Sequence, residues 1–137
     1  MSNTYYSENK VLDQLFGATS IVASIPASWY VGLSTTAPNE GGTGATEPAA
    51  GAYARVAVTN NKTNFGTASN GVLTNSTAIT FPESTASWGT ITHIVFYDAL
   101  TGGNIWYWEA LPTSRAVATH TTVYFAAGAL TISNTNA

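Results

Sequence analysis

The sequence predicts an all-β fold: a single antiparallel β-sandwich, jelly-roll or immunoglobulin-like, with a short N-terminal helix. Three observations lead there. From "ASWYVGLST" onward, short runs rich in Thr, Val, Ile and aromatic residues alternate with turn-forming stretches. About seven such runs share one small domain, which is the pattern of a sandwich or barrel. The 137 residues suffice for one ordinary core. Residues 1–27 read as an arm that carries the helix, a candidate anchoring element, and residues 28–137 as the sandwich.

The helix is read from "YYSENKVLDQLFG". Ser7 fits an N-cap, and Glu8 then falls in the favourable first turn. Tyr6 and Val11 stand at the two positions of a hydrophobic staple. Val11, Leu12, Leu15 and Phe16 make one apolar face at helical spacing, and Gly17 is a natural stop. A helix this short needs something to pack on, either its own sheet or a partner. Tyr5, Tyr6, Leu12, Leu15 and Phe16 are therefore candidate anchor residues.

Strands are expected at 28–34, 53–59, 78–81, 90–98, 104–111, 121–125 and 129–133. The best-marked hairpin is "THIVFYDALTGGNIWYWEAL", whose turn supplies glycines for positive φ. Alternation places Ile94 and Phe96 on one face of its first strand, with His93, Val95 and Tyr97 on the other. In its second strand Ile105, Tyr107 and Glu109 oppose Trp106 and Trp108. Aromatics on both faces imply cover on both sides or an interface. Two tracts read as loops. "TTAPNEGGTGATEPAAG" has little to bury, and loops of that length are usually functional or mobile. "NNKTNFGTASNGVLTNST" has room for an irregular strand.

Charged residues make up 8% of the chain, against roughly 25% in average soluble proteins. The net charge of −3 and the lack of a basic run give no electrostatic footprint for nucleic acid. There are no cysteines, which excludes disulfides, zinc–thiolate sites and thiol nucleophiles. "MSNTYYSENK" lacks the build of a signal peptide, and no apolar run reaches the roughly 18 residues of a membrane span.

His93 and His120 follow no ligand spacing, so neither a metal nor another cofactor is expected. No G-x-S-x-G elbow is present. The carboxylates Asp13, Glu40, Glu47, Glu83 and Asp98 are scattered. Glu109 with Asp98 is the one pair considered for flanking a sugar, as glycosidases require. Solvated carboxylates explain them better, and no enzyme is expected. "GGTG" lacks the Lys-Ser/Thr of a phosphate loop and reads as flexible linker.

Trp29 and Trp88 are assigned to the core. Trp106, Tyr107 and Trp108 are candidate interface or glycan contacts, because alternation brings at least one of them to a surface or a second layer. Arg55, one of only four Lys and Arg, interrupts the run "YARVAV". Tyr53, Arg55 and Ala57 share one face, while Ala54, Val56 and Val58 feed the core. The Tyr-x-Arg spacing permits stacking on a ring and bonds to carbonyls or a carboxylate. Tyr53 and Arg55 are expected to form a structural latch where the long Gly-rich loop enters the sandwich.

The ordered blocks "YVGLSTTAPNEGG", "YARVAVT", "AITFP…WGTITH…FYDALTGGN", "EALPTSRAV" and "FAAGALTI" resemble a family of small bacteriophage proteins often labelled tail fibre proteins. The resemblance covers residues 9–132. It implies a virion structural protein without catalysis or cofactor, assembled in the bacterial host cytoplasm. The partners implied are other virion proteins, capsid or tail subunits, and further copies of the chain, with a trimer among the options. Neither nucleic acid nor membrane insertion is implied. "NIWYWEAL" is richer in Trp than the family pattern. Fibres gain length from coiled coils, β-helices or collagen-like repeats, none of which is visible here. The expectation is therefore a compact accessory subunit. Capsid decoration or cement stands ahead of a tail fibre, baseplate or tail-adaptor component. A module that binds host glycans through Trp106, Tyr107 and Trp108 is the alternative of another class.

Overall fold

The computed structural model describes residues 1–17 and 24–133. In chain order the elements are β1 (Ser2–Asn3), α1 (Tyr5–Gly17), β2 (Ser28–Ser34), β3 (Val56–Thr59), β4 (Val72–Thr74), β5 (Ile79–Thr80), β6 (Gly89–Tyr97), β7 (Ile105–Val117), β8 (Tyr124–Phe125) and β9 (Thr131–Ser133). β6 lies at the centre of a five-stranded antiparallel sheet ordered β1-β7-β6-β2-β3. Two short antiparallel ladders, β4–β9 and β5–β8, complete the strands. This is the all-β, sandwich-like fold with one short N-terminal helix that the sequence predicts.

Strand alternation creates two cores. Val31 and Leu33 of β2 and Ile94 and Phe96 of β6 meet Ile79, Phe81, Val123 and Leu130 from the ladders and their connections. On the opposite face Val95, Tyr97 and Ile105 form a smaller cluster against Tyr30, Ala45 and Trp108. Ala45 belongs to the long Gly-rich loop, so that loop covers the sheet. It is laced by its own polar groups: Thr35 N–H donates to Thr46 O at 2.9 Å, and Asn39 N–H to Thr43 O at 2.9 Å.

The β6–β7 hairpin departs from simple alternation. Phe96 faces Tyr107 while Tyr97 faces Ile105, so Trp106 is an extra residue in a bulge. The expected grouping of Ile105 with Tyr107 and Glu109 is corrected accordingly. Ile105 and Trp108 share the smaller cluster. Tyr107 turns to the main core. A second irregularity sets Ile91 against Arg115 and His93 against Ala110, which arches residues 111–114 out of the ladder. Pro112, which has no N–H to give, sits in that arch, and β7 continues well past its expected end.

Other boundaries shift for local reasons. The strand expected at 53–59 begins only at Val56, and Ala54, assigned to the core, is exposed. The strand expected at 121–125 shortens to Tyr124–Phe125. The helix is capped by Thr4 rather than Ser7. β1 pairs Ser2 with Trp108 and Asn3 with Tyr107, so the chain leaves the sheet at Thr4. Thr4 Oγ1 accepts from Ser7 N–H at 3.4 Å and donates to Ile105 O at 2.6 Å. Ser7 lies buried inside the first turn, its hydroxyl 2.9 Å from Thr4 O and 3.0 Å from Trp106 O. Tyr6 is thus inside the helix and not a staple residue.

Asn75 gives the ladders their polar centre. It is 1% exposed. Its amide donates to Thr77 O and Ala126 O, both at 2.9 Å, and its Oδ1 accepts from Leu130 N–H at 2.9 Å. Asn75→Ala strands three backbone groups in the interior. We expect a loss of about 3 kcal/mol, read as a lower urea midpoint at unchanged m. An unchanged midpoint would contradict this role.

Candidate functional site

A gap in the sheet surface receives a partly buried ion pair, Arg55 with Glu47. At Gly32 an added Cβ would lie 2.7 Å from Glu47 Oε1 and 3.0 Å from the Tyr53 hydroxyl. The Tyr53 hydroxyl accepts from Leu33 N–H at 2.9 Å and donates to Glu47 Oε1 at 2.7 Å. Arg55 grips the same carboxylate at two points, Nε to Oε1 at 2.9 Å and Nη2 to Oε2 at 2.8 Å. Its Nη1 donates to Ala99 O at 2.7 Å and Gly102 O at 2.8 Å, in the β6–β7 turn. The guanidinium lies 3.4 Å from the Tyr97 ring centroid. Tyr97, not Tyr53, is therefore its stacking partner. The Tyr53 ring instead packs inward, 6.4 Å from Phe81 and 5.3 Å from Trp88. Glu47 joins the two residues.

The protonation states suit this arrangement. Burial, then the Glu47 hydrogen bond, pushes the Tyr53 hydroxyl far above its usual range, so it stays a donor. Burial, with Glu47 nearby, pushes Tyr97 up to about 12. Burial works against the charge on Arg55, but the hydrogen bonds and charge of Glu47 outweigh it and hold the guanidinium ionised.

The aromatic run of the hairpin goes to three places. Trp106 is 5% exposed; its indole donates to Asp98 Oδ2 at 3.1 Å, and its ring meets Tyr6 and Trp29 edge-on, each at 5.3 Å. Trp108 is half-buried beside His93, at 5.9 Å between rings. Tyr107 lines the opposite face. No common stacking platform results. In the turn, Gly102 and Gly103 adopt φ of 61° and 73° as the sequence suggests, and Asp98 accepts from Asn104 N–H at 2.7 Å. Burial pushes the Asp98 carboxyl up, yet the bonds from Asn104 and Trp106 outweigh it and hold it below its ordinary 3.8.

Two further surfaces stand out. A cleft of about 410 Å³ opens between the main sheet and the β4–β9 ladder. Trp29, Phe96 and Tyr107 line it from the sheet, Leu73 and Ile132 from the ladder, with Phe65 between them and Asn60, Asn61 and Lys62 at its edge. The second is α1, whose residues Tyr5, Leu12, Leu15 and Phe16 are exposed. Tyr6, half-buried on Trp106, is the anchor candidate that turns inward.

The residues screened for chemistry do not converge. Glu109 lies opposite Ile94. Asp98 lies four residues beyond Ile94, about 13 Å of extended backbone, against the roughly 5–9.5 Å of glycosidase carboxylate pairs. His93 Nδ1 lies 2.7 Å from the Thr92 hydroxyl, and burial lowers its pKa. His120 sits exposed beside Glu83 at 3.2 Å. Among the described residues no group of three His, Asp or Glu could hold a metal, and no helix is long and apolar enough to cross a membrane.

Glu47, Gly32 and the cleft residues are the parts that sequence reading missed. One signal was available: a lone Arg in an apolar run demands a carboxylate, and Glu47 is one of two in the loop directly before it.

Two outcomes follow from this geometry. Gly32→Ala drives Glu47 off its seat. It should cost about 2 kcal/mol and open residues 35–51 to limited proteolysis; unchanged cleavage would contradict the packing described. Asp98 has a depressed folded-state pKa. Its stabilising contribution is complete above the ordinary carboxylate value of 3.8 and is lost as pH falls through the lower folded value. Asp98→Asn should therefore flatten the acid-unfolding profile below about pH 4. A profile as steep as wild type would rule out this role for Asp98.

None of the curated proteins matches the chain. The family described as Podophage GP4 fiber I protein gp80 matches residues 2–133, from β1 through β9 and including both halves of the Glu47–Arg55 contact. The chain belongs to this podophage fibre protein family and is a virion protein of fibre type.

Proposed function

We propose that the protein is a compact, non-enzymatic accessory subunit of the phage tail fibre apparatus, assembled in the host cytoplasm and joined to neighbouring virion subunits through α1. The family match over residues 2–133 carries this reading. It moves the balance away from capsid decoration, which rests only on compactness. Without a length-building repeat, the chain suits a joint or tip module rather than a shaft.

The helix supplies the attachment surface. Tyr5, Leu12 and Phe16 fall on one stripe at i, i+7 and i+11, with Leu15 beside it. Tyr53 and Arg55, through Glu47, act as the latch that keeps the loop of residues 35–51 and the β6–β7 turn in one rigid unit. A subunit under mechanical load benefits from such a cross-brace. Glycan binding through Trp106, Tyr107 and Trp108 has little support, because Trp106 is buried and the three side chains diverge.

Gold labelling of a tagged subunit in intact particles tests the proposal. Label on tails or their fibres is expected. Label confined to heads would return the reading to capsid decoration, and unlabelled particles would end it.

A further inference from the structure

We infer that α1 of one copy docks into the cleft of a second copy, so that the chain assembles with itself head to tail. This rests on α1 being an attachment element and names what it attaches to. Two anomalies of the fold explain each other. The helix carries an exposed apolar ridge: Leu12 is 53% exposed, Leu15 68% and Phe16 85%. Contiguous apolar exposure of this kind marks interaction surfaces. A helix of 13 residues is also marginal without a partner. Its first turn is fixed to its own sheet through Ser7 and Tyr6, and its later turns expose Leu12, Leu15 and Phe16.

The cleft is the matching hollow. It is an open hollow of about 410 Å³ whose walls are mainly aromatic and aliphatic. It suits Leu and Phe side chains rather than a polar ligand.

Charge complementarity selects the occupant. α1 has Asp13 flanking the ridge and no basic residue in its last turn, so its far end is negative. The cleft edge carries Lys62 with the amides of Asn60 and Asn61. Lys62 gives one bond to Gly66 O, at 3.0 Å, and its ammonium has two further protons to donate. Of the other three cations, Arg55 is held by Glu47 and Lys10 lies over the Tyr6 ring, while Arg115 is exposed on β7 and does not line the cleft. Ridge and hollow are different patches of one surface, so the contact is heterologous and either closes into a ring or propagates.

Light scattering on the purified full chain tests this. Wild type should be larger than a monomer. Phe16→Asp should weaken association at least 100-fold. Lys62→Glu, an exposed change that spares the fold, should weaken it about fivefold, and Lys62→Glu with Asp13→Lys should recover it. Phe16→Asp retains an intact cleft, so mixing it with Leu73→Trp, which fills the cleft but keeps the ridge, should give a dimer that neither forms alone. Circular dichroism confirms that each variant is folded. Should Leu73→Trp misfold, the charge-swap pair decides alone. A monomeric wild type, or association indifferent to Phe16→Asp, overturns the inference. Monomers that enter tails through Phe16 would overturn self-docking while leaving the proposed function standing. Failure to enter tails at all would remove that function.

Discussion

The Glu47–Arg55 pair is the constraint on which the arrangement of the upper sheet depends. In a chain with four Lys and Arg, placing one guanidinium where its side chain is only 7% exposed is costly unless every donor is used. Here the donors meet a carboxylate and two carbonyls, and the flat face meets Tyr97. One side chain thereby ties the Gly-rich loop and the entry to β3, neighbours in sequence, to the distant β6–β7 turn. Gly32 is the vacancy that admits them.

The Trp106 bulge makes a second connection. By adding one residue to β7 it turns Tyr107 toward the main core and leaves Trp106 between Tyr6 and Trp29. The Trp106 carbonyl receives the buried Ser7 hydroxyl. The base of α1 is thus joined to β7, next to the central strand of the sheet, while Leu12, Leu15 and Phe16 in its later turns are exposed. A helix built to attach to something else needs that combination of a fixed base and an exposed ridge.

Much of this was legible in local pattern. Thr, Val, Ile and aromatic runs located β2, β6, β7 and the two-sided burial of the hairpin, because alternation is a local property. Glycines at 102 and 103 marked the turn for the same reason. The cap was misread by three residues, because Ser ranks above Thr as a cap and only the pairing of β1 with β7 places the helix start at Thr4. The bulge was invisible, since "NIWYWEAL" alternates as smoothly as a regular strand would. Glu47 was missed because nothing local distinguishes it from Glu40. Its role arises from a gap at Gly32, fifteen residues earlier. The cleft, built from six separate segments, had no sequence signature at all.

A double-mutant cycle on Arg55→Ala and Glu47→Ala tests the central claim most directly, because it isolates the coupling from the loss of each side chain. With denaturant unfolding as the readout, the account requires a coupling energy of about 2 kcal/mol, the upper part of the usual range for groups in contact. A coupling near zero, with the two losses simply adding, would mean that the pair is incidental and that the loop and the turn are held by something else.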